Sequence, residues 1–157
     1  MKDLVVYFSA TGTTALVAKK LAQAIGADIF EIVPSKPYTA RDLNWMDKNS
    51  RSSIEARDES MRPEIANKLK NINEYDKIYL GFPIWWYTAP KIVNTFLESI
   101  DSANKTIVLF ATSGGSSLGK TIDDISKSCD ASTKVISGAV LNPDQDVASL
   151  KQWAKKY

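Results

Sequence analysis

The stretch Leu4-Val5-Val6-Tyr7-Phe8-Ser9-Ala10-Thr11-Gly12-Thr13-Thr14 carries an apolar, β-prone run directly into a turn of small and hydroxyl-bearing residues. Helical periodicity follows. Val17, Leu21, Ala24 and Ile25 share one face, Lys19, Lys20 and Gln23 lie elsewhere, and Gly26 supplies a C-terminal cap. A strand that feeds a helix through such a turn aims backbone N–H groups and the positive end of the helix dipole at one point, which is an anion site. The hydroxyls of Ser9, Thr11, Thr13 and Thr14 add donors, and Gly12 allows either close backbone approach or a positive φ. Simple helix capping needs one hydroxyl, so this density favours phosphate binding over capping.

The missing motifs narrow the ligand. A Walker loop needs Gly-Lys followed by Ser or Thr, and no lysine stands in Ser9 to Thr14. The three spaced glycines of a dinucleotide fingerprint are absent as well, which disfavours a pyrophosphate at this turn. A single terminal phosphate held by hydroxyls and amides remains.

Working outward, four further apolar runs read as buried strands: Ile29 to Val33, Ile78 to Phe82, Ile107 to Ala111 and Val135 to Leu141. Helical stretches separate them, the pattern of a parallel sheet covered on both faces. One helix begins near Pro90 and buries Val93, Phe96, Leu97 and Ile100. Another aligns Leu118, Ile122, Ile125 and Cys129, which makes Cys129 a core residue rather than a reactive thiol. The last runs from about Asp144, a suitable N-cap, through Val147, Leu150 and Ala154. The predicted fold class is α/β: a three-layer doubly wound sandwich with a five-stranded parallel sheet, whose strand order can be 2-1-3-4-5, one domain over residues 1–157.

Two more segments fall at the same sheet edge. Gly81-Phe82-Pro83-Ile84-Trp85-Trp86-Tyr87-Thr88-Ala89-Pro90 follows the third strand, and its three adjacent aromatics cannot all point into one core. At least one is expected to meet a flat ring. Thr112-Ser113-Gly114-Gly115-Ser116-Ser117-Leu118-Gly119 follows the fourth strand and is rich in small residues. In a sheet of this order all three segments meet at the switch point beyond the strand ends. The long polar segment from Pro34 to Pro63 is either a surface excursion whose Tyr38, Trp45 and Met46 cover the sheet edge, or a lid over that site.

Composition bounds the rest. Of 157 residues, 44% are hydrophobic and 24% charged, an ordinary globular balance. The single cysteine forbids an internal disulfide, and the absence of histidine argues against the usual zinc and copper sites and against Ser-His or Cys-His catalysis. No metal site is expected. A net charge of +2 with scattered basic residues gives no support to a nucleic-acid partner. The apolar run Leu4 to Phe8 is too short for a signal peptide or membrane span, so a cytoplasmic location without membrane contact is expected.

On these motifs the chain resembles the short bacterial flavodoxins throughout its length, which implies a flavodoxin-like three-layer doubly wound sandwich with the strand order 2-1-3-4-5. The resemblance implies that Ser9, Ala10, Thr11, Gly12, Thr13 and Thr14 hold the phosphate of FMN. It also implies that Pro83, Ile84, Trp85, Trp86 and Tyr87, with Thr112, Ser113, Gly114, Gly115, Ser116 and Gly119, enclose its ring, Trp86 rather than Trp85 stacking on it. The Pro34 to Pro63 segment resembles an insertion of that group and is expected to be ordered. Two features depart from the family. The chain is slightly basic where flavodoxins are acidic, and Ile84 to Thr88 lacks the glycine that many members place beside flavin N5. That absence argues against a stable semiquinone, because a non-glycine residue is penalised in the positive-φ conformations that such a peptide rotation needs.

The expected function is electron transfer through FMN, with a redox partner protein or a small-molecule electron donor or acceptor. The alternatives are an NAD(P)H-dependent quinone or flavin reductase and a non-catalytic FMN-binding module. No acid or base is evident in the loops, so no catalytic residue is assigned.

Overall fold

A computed structural model describes residues 2–113 and 117–157. Five strands form one parallel sheet in the order β2-β1-β3-β4-β5, with β1 at Lys2–Tyr7, β2 at Asp28–Glu31, β3 at Tyr75–Pro83, β4 at Thr106–Thr112 and β5 at Lys134–Val140. The helices are α1 (Thr13–Ile25), α2 (Arg51–Arg57), α3 (Lys91–Glu98), α4 (Thr121–Ser126) and α5 (Val147–Ala154). The predicted strand order is therefore found.

The central strands read as continuous apolar runs because both faces are covered. Leu4, Val6, Ile78, Leu80, Ile107 and Leu109 pack on one side with Ile92, Val93, Phe96 and Leu97 of α3 and Ile125 of α4. Val5, Tyr79, Val108 and Phe110 pack on the other with Val17, Ala18 and Leu21 of α1 and Leu150 of α5. Burying a side chain of this size stabilises by roughly 1.5–3 kcal/mol each, offset by chain entropy. The sheet order reverses between β1 and β3, and the C-terminal ends of β1, β3 and β4 open onto one edge there.

Several local expectations differ from the structure. The run Ile29 to Val33 is not a buried strand: β2 is an edge strand with one neighbour, its Ile29 is 44% exposed, and the buried Ile32 lies just past it. Pro90 is the N-cap of α3 and not its first helical residue. The last helix is capped by Asp146, whose Oδ1 accepts the Ser149 N–H at 2.8 Å, while Asp144 belongs to the preceding turn. Helix α4 is shorter than its apolar stripe; Leu118 before it and Cys129 after it still pack against the core.

The segment from Pro34 to Pro63 is ordered. Its ends are pinned by Ser35 N–H to Glu64 C=O at 2.9 Å and Ala66 N–H to Val33 C=O at 2.7 Å. Within it, Ser50 caps α2 by accepting the Ser53 N–H. Inside this loop the buried Glu55 accepts from the Tyr38 hydroxyl at 2.6 Å and from Arg51 Nε at 2.9 Å, and the Arg51 guanidinium lies 3.8 Å over the Tyr38 ring. Trp45 and Met46 do not cover the sheet edge as the surface-excursion alternative has them: they are 70% and 76% exposed, and of the three only Tyr38 reaches inward.

Candidate functional site

Beyond β1 the chain makes the turn that the hydroxyl-rich sequence prescribes. Ser9 Oγ accepts the Gly12 N–H at 3.1 Å, and Gly12 takes φ 96° as the N-cap of α1. A Cβ there would meet nothing within 4 Å, so conformation and not space demands glycine. No side chain caps α1. The capping alternative for these hydroxyls is thus unused: Thr11 and Thr13 are exposed, and among the described residues their hydroxyls make no hydrogen bond. They stand beside the positive end of a 13-residue helix, where an anion is favoured.

Thr14 turns the other way. Its Oγ1 and that of Thr112 share a buried hydrogen bond of 2.7 Å, which ties the start of α1 to the end of β4. Thr112 also accepts the Ile84 N–H on its carbonyl at 3.1 Å, so one residue joins all three loops.

Between Trp85 and Thr88 the chain closes a two-residue turn, with Trp85 N–H to Thr88 C=O at 2.9 Å and Thr88 N–H to Trp85 C=O at 3.2 Å. The central residues Trp86 and Tyr87 have φ of 49° and 68°. Both signs are those of a type I′ turn, for which Asn and Gly are the usual residues. Positive φ is thus reached in this loop without glycine. Two bulky residues in this region store strain of order 1–2 kcal/mol each, and the surroundings must hold them. Thr88 does so through Oγ1 to Asp124 Oδ2 at 2.5 Å. Tyr87's backbone oxygen lies 3.0 Å from where a Cβ on Gly119 would stand.

Trp85 faces inward. Its ring meets Phe8 at 5.7 Å and Tyr38 at 5.4 Å between centroids, both edge-on, and Phe8 meets Tyr38 at 5.6 Å. Such pairs contribute about 0.5–1.5 kcal/mol each beyond burial. The Pro34 to Pro63 segment thus touches the site through Tyr38, whose hydroxyl is held far above its ordinary pKa by burial and by Glu55.

These loops surround a cavity of about 370 Å³. Ala10, Thr11, Thr13 and Thr14 line one part, Pro83, Ile84 and Trp85 another, and Thr112, Ser113 and Pro143 the rest. None of these side chains is ionisable. The cavity pairs hydroxyl and helix-end donors with an apolar, aromatic wall, a set that suits a phosphate joined to a flat ring; its size falls within the roughly 300–1,000 Å³ of small-molecule sites. Ser9 and Gly12 shape the turn without lining the cavity, and Trp86, Tyr87 and Gly119 lie outside its lining. Gly114, Gly115 and Ser116 are outside the described residues. Pro143 was not anticipated, although the rule that places loops at the C-terminal edge applies equally to the turn after β5. Lys20 Nζ holds that turn by donating to the Pro143 carbonyl at 2.7 Å.

A doubly wound parallel sheet with a hydroxyl-rich turn and an aromatic loop at its switch point defines a flavodoxin-like protein. The chain belongs to the Flavodoxin family, whose profile matches residues 2–157. It is similar to structures of flavoproteins from Bacteroides eggerthii (46% identity, TM-score 0.91, 99% of this chain and 96% of that one) and Bacteroides uniformis (46%, 0.83, 98% and 97%). A flavoprotein from Lactobacillus acidophilus in complex with FMN shares the fold at 23% identity, with a TM-score of 0.72 over 98% of both chains. A shorter match, 29% identical over 72 residues, is to an FMN-dependent NADH:quinone oxidoreductase of Brevibacillus brevis; it spans 45% of this chain and 35% of that protein.

Proposed function

We propose that the protein holds FMN non-covalently in the switch-point cavity and uses it to carry electrons. The observation that carries this reading is the division of that cavity, with the free hydroxyls of Thr11 and Thr13 beside the uncapped end of α1 on one side and Trp85 with Ile84 and Pro83 on the other. Thr11, Thr13 and the amides of the turn would hold the phosphate, and the Trp85 side would hold the ring. FMN when bound supplies reversible one- and two-electron chemistry. The protein's own part is to bind, to orient and to keep charge away, since no ionisable side chain lines the cavity. Lacking an acid or base there, the chain suits a carrier better than a substrate-transforming enzyme. A redox protein or a small electron donor or acceptor would meet the exposed ring edge. Among the described residues no helix is long and apolar enough to cross a membrane.

The Brevibacillus relative favours a second reading, an NAD(P)H-dependent oxidoreductase. Hydride transfer requires one free ring face, so that the nicotinamide carbon comes within about 3 to 3.5 Å of flavin N5. Anaerobic mixing separates the two. The purified protein is expected to show flavin absorption bands that NADH or NADPH alone bleaches slowly and that a chemical reductant or a separate reductase bleaches readily. Rapid, saturable bleaching by either nucleotide at micromolar concentration establishes the oxidoreductase instead, and a colourless protein that takes up no FMN ends both readings.

A further inference from the structure

A second cleft, of about 270 Å³, is bounded by Trp86 and Thr88 where the first cavity is bounded by Trp85, and the two share no lining residue. Its walls come from the end of α2, the first turn of α3 and both ends of α4. Its charge is one-sided. Among the lining residues Arg57, Arg62, Lys91, Lys120 and Lys127 outnumber Glu59 and Asp124, with the exposed Asp58 acting on Lys91 and Arg62 from outside the lining, although the whole chain carries a net charge of just +2.

The cations differ in how far they are already satisfied. Arg62 is paired with Glu98 at 3.0 Å, and Arg57 donates to the Lys48 carbonyl at 2.7 Å. The ammonium groups of Lys91, Lys120 and Lys127 make no salt bridge or hydrogen bond among the described residues. Asp124, the acid nearest the middle of this set by sequence, already accepts from Thr88. Lys91 is half-buried, and burial lowers its pKa; Asp124 and Glu59 pull it up, while Lys120 and Arg62 lower it further. A partly desolvated cation among like charges is unfavourable until an anion joins it.

We propose that this cleft is a second binding site, for the phosphate group of a small molecule, with the anion among Lys91, Lys120 and Lys127 and Trp86 at the mouth. With Arg62 taken up by Glu98, four lining cations stand against Glu59 and Asp124, and the excess matches a phosphate dianion better than a monocarboxylate. Lys91 is recessed in a concave site, which favours a small ligand over the acidic surface of a protein. The contrast with the first cavity is chemical: there a phosphate meets neutral donors, here it meets ammonium groups. This proposal goes beyond the reading of the switch-point cavity and does not depend on FMN.

The test is titration of the purified protein with inorganic pyrophosphate at constant ionic strength, read by calorimetry and tryptophan fluorescence. Saturable binding with a dissociation constant below about 1 mM is expected, weakened about tenfold or more in Lys91→Gln/Lys127→Gln and unchanged in Thr11→Ala/Thr13→Ala. The far-UV spectrum and melting temperature of the lysine variant establish that it folds. Trp86→Leu removes the fluorescence response. No saturable binding in the parent protein, equal binding by the folded lysine variant, or loss of binding in the threonine variant alone overturns the proposal; the last result moves the pyrophosphate to the α1 turn. Binding of polyglutamate that pyrophosphate does not displace also overturns it, in favour of an acidic protein partner.

Discussion

Thr14 at the start of α1 and Thr112 at the end of β4 share a buried hydrogen bond of 2.7 Å between side-chain oxygens 98 positions apart. Removing one hydroxyl leaves the other without its partner in a site where both residues are at most 5% exposed. Thr14→Val or Thr112→Val alone is expected to cost about 1–3 kcal/mol, and the double change less than the sum of the two. Denaturant unfolding of the four proteins in this cycle measures the coupling. Strict additivity would show that the bond does not connect the two loops energetically.

The phosphate side of the cavity is tested by Thr11→Ala/Thr13→Ala. Each hydroxyl that meets a charged phosphate contributes about 1.5–3 kcal/mol, so FMN affinity falls steeply while riboflavin affinity hardly changes. Fluorescence titration with both flavins checks this, and equal weakening of the two would place the phosphate elsewhere.

Trp85 and Trp86 are neighbours with different surroundings. Trp85 lines the switch-point cavity and packs on Phe8 and Tyr38, whereas Trp86 is 38% exposed at the second cleft. Trp85→Ala is expected to weaken FMN and to destabilise the fold by about 3 kcal/mol, in the range of large-to-small aromatic truncations. Trp86→Ala has little effect on stability and the smaller effect on FMN. Bound-flavin fluorescence and thermal melting distinguish them; the reverse order would show that the ring stacks on Trp86.

The Cys129 thiol is pushed up to about 11 by burial, against a lowering hydrogen bond with Ser102. At pH 8 both the folded and unfolded pKa lie above the solution pH, so the thiolate is scarcer in the folded state. The thiolate fraction is then about a hundredfold below that of an unperturbed cysteine near pKa 9. A thiol reagent should label Cys129 slowly in buffer and rapidly in denaturant, with the native rate rising as pH approaches 11. Equal rates in both states at pH 8 would place the thiol in solvent.

Much of this architecture was legible in the chain alone, because it rests on local signals. Apolar runs alternating with helical periodicity determine a parallel doubly wound sheet, and Ser9 to Thr14 determines the hydroxyl-rich turn into α1, since strand end, glycine and helix start are contiguous there. The edge-strand character of β2 was hidden, because Ile29 and Val33 have the same β propensity whether one neighbour strand or two lie beside them. Other features were decided only by tertiary structure. Trp85 and Trp86 are chemically identical, and a turn that places Trp86 and Tyr87 at positive φ sends one indole toward Phe8 and Tyr38 and leaves the other at a basic cleft. The cleft itself gathers Arg57 of α2, Lys91 of α3, and Lys120 and Lys127 at the two ends of α4, three separate stretches of a nearly neutral chain. Coulombic interaction depends on separation in space, which spacing along the chain does not encode.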